Sequence, residues 1–317
     1  MYMATDIPVR YLTIRLQVDG KNFGGANGTS NVKYITCNSG IADDGDSYLS
    51  AEIVIQKSTG YIYDTATIVL HGMNQTDINT FTRTNLQGEL YLNSDNQVTI
   101  YAGYELGSDG LPPIVYQGFV LRSGVDPNIA RDRPFVITTM QNFNFQNEIA
   151  LPVNPSGNIS LNTLFKTIAN NAGYNYQSTG VKGIVSSVVL HAMTKKQQLD
   201  IIYDYGYYYK TQITAPNQFT LYVAPKGQPL LTSQFQLSEN NGMIGYPIVE
   251  DYGFSARCYF NPNLQIGQAI TVKSEVLELI NNQNLYINGM QIILQNKDVD
   301  WVSILQLNTY SFTPGVT

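Results

Sequence analysis

The chain opens on a strict alternation. Over residues 10–18, Leu12, Ile14, Leu16 and Val18 fall on one side and Tyr11, Thr13, Arg15 and Gln17 on the other. That period of two marks a half-buried strand, because successive side chains leave opposite faces. Further strands are predicted at VKYITC, at AEIVIQ and at DTATIVLHGM, where Ala66, Ile68 and Leu70 share a face. NQVTIYAGY, PPIVYQGFVLRS and RPFVITTM continue the series. Among them, NQTDINTFTR reads as one short helix, with Asn74 or Thr76 as its cap and Ile78 and Phe81 three apart. Strands in this number, broken by Gly- and Pro-containing turns, close into a barrel or pack as a sandwich.

The period changes near LPVNPSGNIS. Leu161, Leu164, Phe165, Ile168 and Ala169 recur at helical spacing behind Ser160, a cap residue, and Gly173 is placed to end that helix. VSSVVLHAM reads as a strand. A second helix is expected from about Thr194, with Leu199, Ile202 and Tyr203 on one face and Gly206 as its stop. YYYKTQIT and FTLYVAP are two strands joined by a turn at Ala215-Pro216-Asn217. From about Gln236 strands return: PIVEDYGFSARCYF, AITVKSEVLEL, NLYINGMQIILQNKDVDW and SILQLNTYSF. Turns are predicted at Asn261-Pro262-Asn263 and at Asn288-Gly289, a step favoured in tight hairpins. The expected fold is therefore mainly β with a small α+β insertion, divided at 1–151, 152–235 and 236–317.

Composition adds a surface. Charged residues are 13% of the chain, against roughly 25% in ordinary soluble domains. Asn, Gln, Thr, Ser and Tyr take their place, with 23 Tyr and 26 Gly. Few full charges must leave water when a neighbour covers such a surface, so it suits extensive protein contacts; a secreted β-protein or adhesin has a similar make-up. A net charge of −6 and a pI near 4.9 give no basic footprint for sequence-reading of nucleic acid. A mildly acidic wall would instead let a polyanion slide without sticking. Cys37 and Cys258 allow at most one bridge and are expected to be buried thiols of a reducing compartment. Asp6, Arg10 and Arg15 interrupt the opening residues, so no signal peptide is expected, and no stretch reaches the apolar length of a membrane span.

Candidate chemistry is sparse. His71 and His191 each end an apolar run with no second ligand at metal spacing, and neither is assigned a role. Asp43, Asp44 and Asp46 surround Gly45 but lack the terminal Glu of a calcium loop, and read as a solvated turn. Glu250 and Asp251 are adjacent, so in a strand they would point to opposite faces rather than act as a carboxylate pair. AGYELG, with Gly103 and Gly107, lacks the third glycine and the helix of a phosphate loop and reads as a turn. Trp301 is expected to anchor a core or an interface.

The last third carries a resemblance. NGMIGYPIVEDYGFSARCYFNPNLQIGQAITVKS followed by NGMQIILQNKDVDWVSILQL resembles the C-terminal part of baseplate hub proteins of tailed phages. The likeness rests on a Gly-x-Pro-like turn at Gly245-Tyr246-Pro247, an Asn-Pro turn at Asn261-Pro262, an Ile-Gly step at Ile266-Gly267, and a final strand bearing Asn288-Gly289 and ending in Trp301. TATIVLHGMNQTDINTF, NQVTIYAGY and IVYQGFV are similar to the family's opening barrel, and the middle unit to its α+β insertion. The resemblance implies two tube-type β-barrel domains flanking or enclosing the α+β domain, related to the tail-tube fold and the N-terminal part of VgrG spike proteins. It implies a homotrimeric ring of six barrels joining a sixfold tail tube protein to a separate threefold central spike protein, among other baseplate proteins. DNA would pass non-specifically through the lumen. It implies no catalytic, cofactor or metal residues and no membrane contact, with residence in the virion tail baseplate after assembly in the host cytoplasm. A hub of a related contractile injection system and a secreted carbohydrate-binding adhesin or glycosidase are the rival expectations.

Overall fold

The computed structural model describes residues 9–18, 30–38, 49–59, 63–82, 96–126, 133–297 and 300–310. The first run contains β1 (Tyr11–Gln17), β2 (Val32–Thr36), β3 (Ser50–Ser58), β4 (Thr65–His71), α1 (Gln75–Phe81), β5 (Gln97–Gly103), β6 (Ile114–Val125) and β7 (Phe135–Met140). The alternation works as read: Leu12, Ile14 and Leu16, and Ile68 and Leu70 on β4, are fully buried, with Ala66 beside them. Asn74 is the cap of α1, its side chain accepting from the Asp77 N–H at 2.8 Å. Asp77, itself buried, is held by the Lys33 ammonium of β2, which fastens the helix against the sheet.

The middle unit contains β8 (Asn158–Ser160), α2 (Leu161–Ala172), β9 (Asn175–Ser178), β10 (Ile184–Ser186), α3 (Lys195–Asp204), β11 (Tyr207–Ala215) and β12 (Gln218–Pro225). Ser160 caps α2, and Gly173 ends it in the left-handed region, at φ 85°. Thr194 starts α3 with a reciprocal pair of bonds, its hydroxyl accepting from the Gln197 N–H and its own N–H donating to the Gln197 side chain. Thr194→Ala removes one acceptor from the open helix end and is expected to cost about 1 kcal/mol in urea denaturation. Leu164, Phe165, Ile168, Ile202, Leu221 and Val223 form a hydrophobic cluster of this unit's own.

The last run contains β13 (Leu231–Ser238), β14 (Ile248–Glu250), β15 (Gly253–Tyr259), β16 (Gln268–Lys273), β17 (Leu285–Gln295) and β18 (Trp301–Thr309). β17 pairs antiparallel with β18 on one side and with β3 on the other, so the first and last runs share one 13-stranded sheet. Its order is β14-β15-β18-β17-β3-β4-β7-β6-β5-β1-β2, with β16 also on β17 and β13 parallel to β16. One core lies beneath it, containing Leu12, Ile53 and Ile68 together with Ile270, Ile287 and Leu305. The fold is mainly β.

Four expectations are corrected. Asn288-Gly289 is not a hairpin turn but a bulge inside β17, where the register shifts between Ile287 and Gly289; clamped between two partner strands, the long strand overrides a local turn preference. PIVEDYGFSARCYF is two strands, folded back so that Glu250 pairs with Gly253. A side chain at Gly253, φ 151°, would put Cβ 2.1 Å from the Leu307 carbonyl oxygen, so only glycine fits behind this turn. AITVKSEVLEL is a strand only to Lys273, then a Ser274-anchored turn and a 3-10 helix at Glu278–Asn282. VSSVVLHAM forms only the end of the short β10 and an isolated bridge of Leu190 with Val153, because Ser187 and Ala192 take positive φ, 59° and 52°. The acidic Asp43–Asp46 loop lies outside the described residues.

Candidate functional site

Two kinds of place carry polar or exposed groups out of proportion: the ends of the large sheet, and the seam where the middle unit meets it. Among the described strands β14 pairs with β15 alone. All three of its residues are exposed, Ile248 at 65% and Val249 at 56%, and Tyr246 and Tyr252 flank it, Tyr252 at 91%. An apolar edge strand with one open side is a template for pairing with another chain. At the other end β2 likewise pairs only with β1 among the described strands.

The singled-out turn residues distribute around this region. Gly245, φ 73°, and Pro247 lead directly into β14. Asn261-Pro262 is a turn in fact: the Asn261 side chain accepts from the Asn263 N–H at 2.9 Å, and its carbonyl from the Leu264 N–H at 3.2 Å. Gly267, φ 79°, is the joint with the middle unit. Its N–H donates to the Ile287 carbonyl at 2.7 Å, and its carbonyl accepts the N–H groups of Leu230 and Leu231 at 2.8 and 3.1 Å. A Cβ there would stand 2.5 Å from the Leu230 side chain. Trp301 opens β18 in the core, 5.7 Å and nearly perpendicular to Phe260, with Tyr104 at 6.5 Å and the Arg10 guanidinium 5.7 Å from its ring. Trp301 thus ties the last strand to residues before and after β5. The structure does not gather these residues into one cleft.

The seam is electrostatic. Lys210, on β11, meets the carboxylate of Asp64, which lies just ahead of β4, and both side chains are only 6% exposed. The Lys210 ammonium also donates to the Ser58 carbonyl at 2.7 Å. Lys57 continues the inward row Ala51, Ile53 and Ile55 on β3 and is half-buried beside this pair. Burial pushes its ammonium down from 10.5 to about 8; Asp64 pulls it back up, and the Lys210 charge pushes it further down. A cavity of about 60 Å³ lies among Lys57, Asp64, Tyr116, Gln141 and Lys210. Neighbouring bonds are neutral: Gln212 donates to the Ile266 carbonyl at 3.1 Å, and the Asn217 N–H to the Gln117 side chain at 3.1 Å. Sequence reasoning missed this trio. The available signal was the parity of β3, which places a lysine where the fourth apolar residue belongs.

Burial pushes the Cys258 thiol up to about 12, and the thiol donates to the Ser303 carbonyl oxygen at 3.6 Å, an environment that favours the thiol over the thiolate. Cys37 and Cys258 are both buried and unbridged. His71 and His191 stand apart on β4 and in the loop before α3, and among the described residues no three of His, Cys, Asp or Glu gather as metal ligands. Glu250 and Asp251 sit at a hairpin tip in solvent.

Three solved structures share the fold. A 43 kDa tail protein of prophage MuSo2 from Shewanella oneidensis is 9% identical with a TM-score of 0.54, covering 93% of this chain and 96% of its own. The tail protein from Neisseria meningitidis MC58 is 11% identical with a TM-score of 0.50 and the same coverage. The Escherichia coli c3393 protein, described as a component of the type VI secretion system with structural similarity to phage T4 tail proteins gp27 and gp5, is 8% identical. Its TM-score is 0.52 over 84% of this chain and 76% of its own. No match was found among curated protein sequences. The family model described as Baseplate hub gp41 matches residues 34–306, and the chain therefore belongs to that family of structural proteins of the phage tail baseplate.

Proposed function

We propose that three copies of this chain form a ring that joins the tail tube to the central spike, that DNA passes through its lumen, and that the chain catalyses nothing. The observation that carries this reading is a large sheet whose described strands end at β2 on one side and at β14, an exposed apolar strand, on the other. A sheet of that kind is completed by the sheets of neighbouring copies, and a closed ring leaves no edge. The divisions 1–151 and 236–317 are then a first and a second tube-like barrel whose strands run together in the one large sheet where β3 pairs with β17, and 152–235 is an outlying α+β unit. The partners are the tail tube protein, the spike protein and other baseplate proteins. The place of work is the virion, after assembly in the host cytoplasm. No described helix is long and apolar enough to cross a membrane.

The test is the oligomeric state. Light scattering of the purified chain with its spike partner is expected to give trimers, and monomers alone would end the reading. Ile248→Asp with Val249→Asp charges the open edge of β14. It is expected to shift trimer to monomer while changing the monomer's own stability by no more than about 0.5 kcal/mol, because both side chains already face water.

A further inference from the structure

The large sheet has a second face, opposite the core. We infer that the outward face of β7, β4, β3, β17 and β18 is the lining of the lumen, and that it is built nearly free of charge so that a polyanionic duplex slides past without binding. The inference rests on the ring reading and specifies which surface meets the cargo. Registers fix the face. Ile304, Gln291, Gln56, Thr65 and Met140 stand side by side across the five strands. Ile293, Val54, Thr67 and Thr138 form the next row. Their inward neighbours Ile53, Ile55, Ile68, Ile137 and Ile292 are buried, while this row is half-buried or exposed.

Charge is what sets this face apart. On these five strands the outward positions carry one formal charge, Glu52, and no lysine or arginine. Cations stand at its flanks: Arg122 on β6 opposite Thr138, and Arg257 on β15 opposite Ile304, the latter occupied by Asp300 at 2.7 Å. Lysines are instead concentrated in the middle unit, with six between residues 152 and 235 against two acids, Asp200 and Asp204. Duplex binding without sequence preference comes from Lys and Arg displacing counterions from phosphates, so a wall without them offers no holding points. A strongly acidic wall would repel the same cargo and raise the cost of its passage. Gln and Thr keep the wall hydrated, and the intervening Val and Ile offer phosphate no donor. The lining is therefore neutral rather than acidic, which differs from what the overall charge of −6 leads one to expect.

Thiol labelling tests the placement, because both native cysteines are buried. Thr67→Cys and Gln56→Cys, each in trimers verified by light scattering, are expected to react with a small maleimide. A maleimide carried on a bulky globular protein should react at least tenfold more slowly, relative to an Ile184→Cys control on the exposed middle unit. Rapid reaction with the bulky reagent puts the face outside the ring and overturns the inference. Reaction with neither reagent makes it a contact between copies and overturns it equally. Monomers in the scattering measurement end the ring reading itself. Thr67→Lys with Gln306→Lys tests the neutrality: trimers of the variant are expected to retain duplex DNA at least tenfold more strongly than unaltered trimers at ~50 mM salt, with the difference gone by ~200 mM. Equal retention by both would sink it.

Discussion

Asp64→Ala is expected to destabilise the chain by about 3–5 kcal/mol in urea denaturation, since removing one partner of a buried pair strands the other. Here it strands two. Lys210 keeps only the Ser58 carbonyl, and Lys57 loses the one charge that draws its proton affinity upward. The bonds that Asp64 makes through its backbone, from the Gln141 N–H at 2.9 Å and the Tyr116 hydroxyl at 3.4 Å, survive the substitution, so the loss reads the carboxylate alone. Adding Lys210→Met to Asp64→Ala is expected to restore much of the loss, because replacing a buried pair with apolar groups is close to neutral whereas breaking it is not. A cost below about 1 kcal/mol for Asp64→Ala would mean that water reaches the seam. The seam is where the middle unit, with its own hydrophobic cluster, is held to the sheet, so the same variant is expected to loosen that unit first.

Much of the fold is legible because strands and helix caps are local. Leu12, Ile14 and Leu16 announce β1 by alternation alone, and Ser160 with Gly173 brackets α2 to the residue. What joins the pieces is not local. Ile53 pairs with Leu294 across the whole middle unit, and nothing in either segment names the other. Edge status is inaccessible for the same reason: Ile248 and Val249 read as ordinary strand residues until the topology leaves β14 with one neighbour among the described strands. Asn288-Gly289 misleads because a dipeptide's preference for a turn is weaker than pairing on both sides of an eleven-residue strand. The hairpin at Glu250–Gly253 was hidden by a tip of Asp251 and Tyr252, although Gly253 in mid-run was its signal. The candidate site was legible at Gly267 and Trp301 as positions and not as roles. Gly267 turns out to be a joint and Trp301 a tie between runs, facts that depend on Leu230 and Arg10 being near.

Lys57→Met is expected to act in the opposite direction, raising stability by about 1–3 kcal/mol at pH 7, because it removes an ammonium that burial disfavours. The sign follows from where the proton sits. Below about 8 Lys57 is charged in both the folded and the unfolded chain, and the folded state bears the whole penalty. Between about 8 and 10.5 the folded chain releases the proton while the unfolded chain still binds it, so the Lys57 contribution to stability rises with pH through that window. Above 10.5 both forms are neutral and the penalty is gone. Other buried groups act in the opposite sense inside this window: Cys258, raised from 9.0 to about 12, and Tyr116 and Tyr208, raised from 10.0, keep their protons in the folded chain while the unfolded chain begins to release them, and these contributions are the same with or without Lys57. Urea denaturation at pH 7 and pH 9.5 is therefore expected to show the stability advantage of Lys57→Met over the unaltered chain shrinking as pH rises. A variant that loses stability at both values would mean that Lys57 is tied into the seam as a partner of Asp64 rather than tolerated there. The seam would then be a network of three charges, and Asp64→Ala should cost more with Lys57 present than without it.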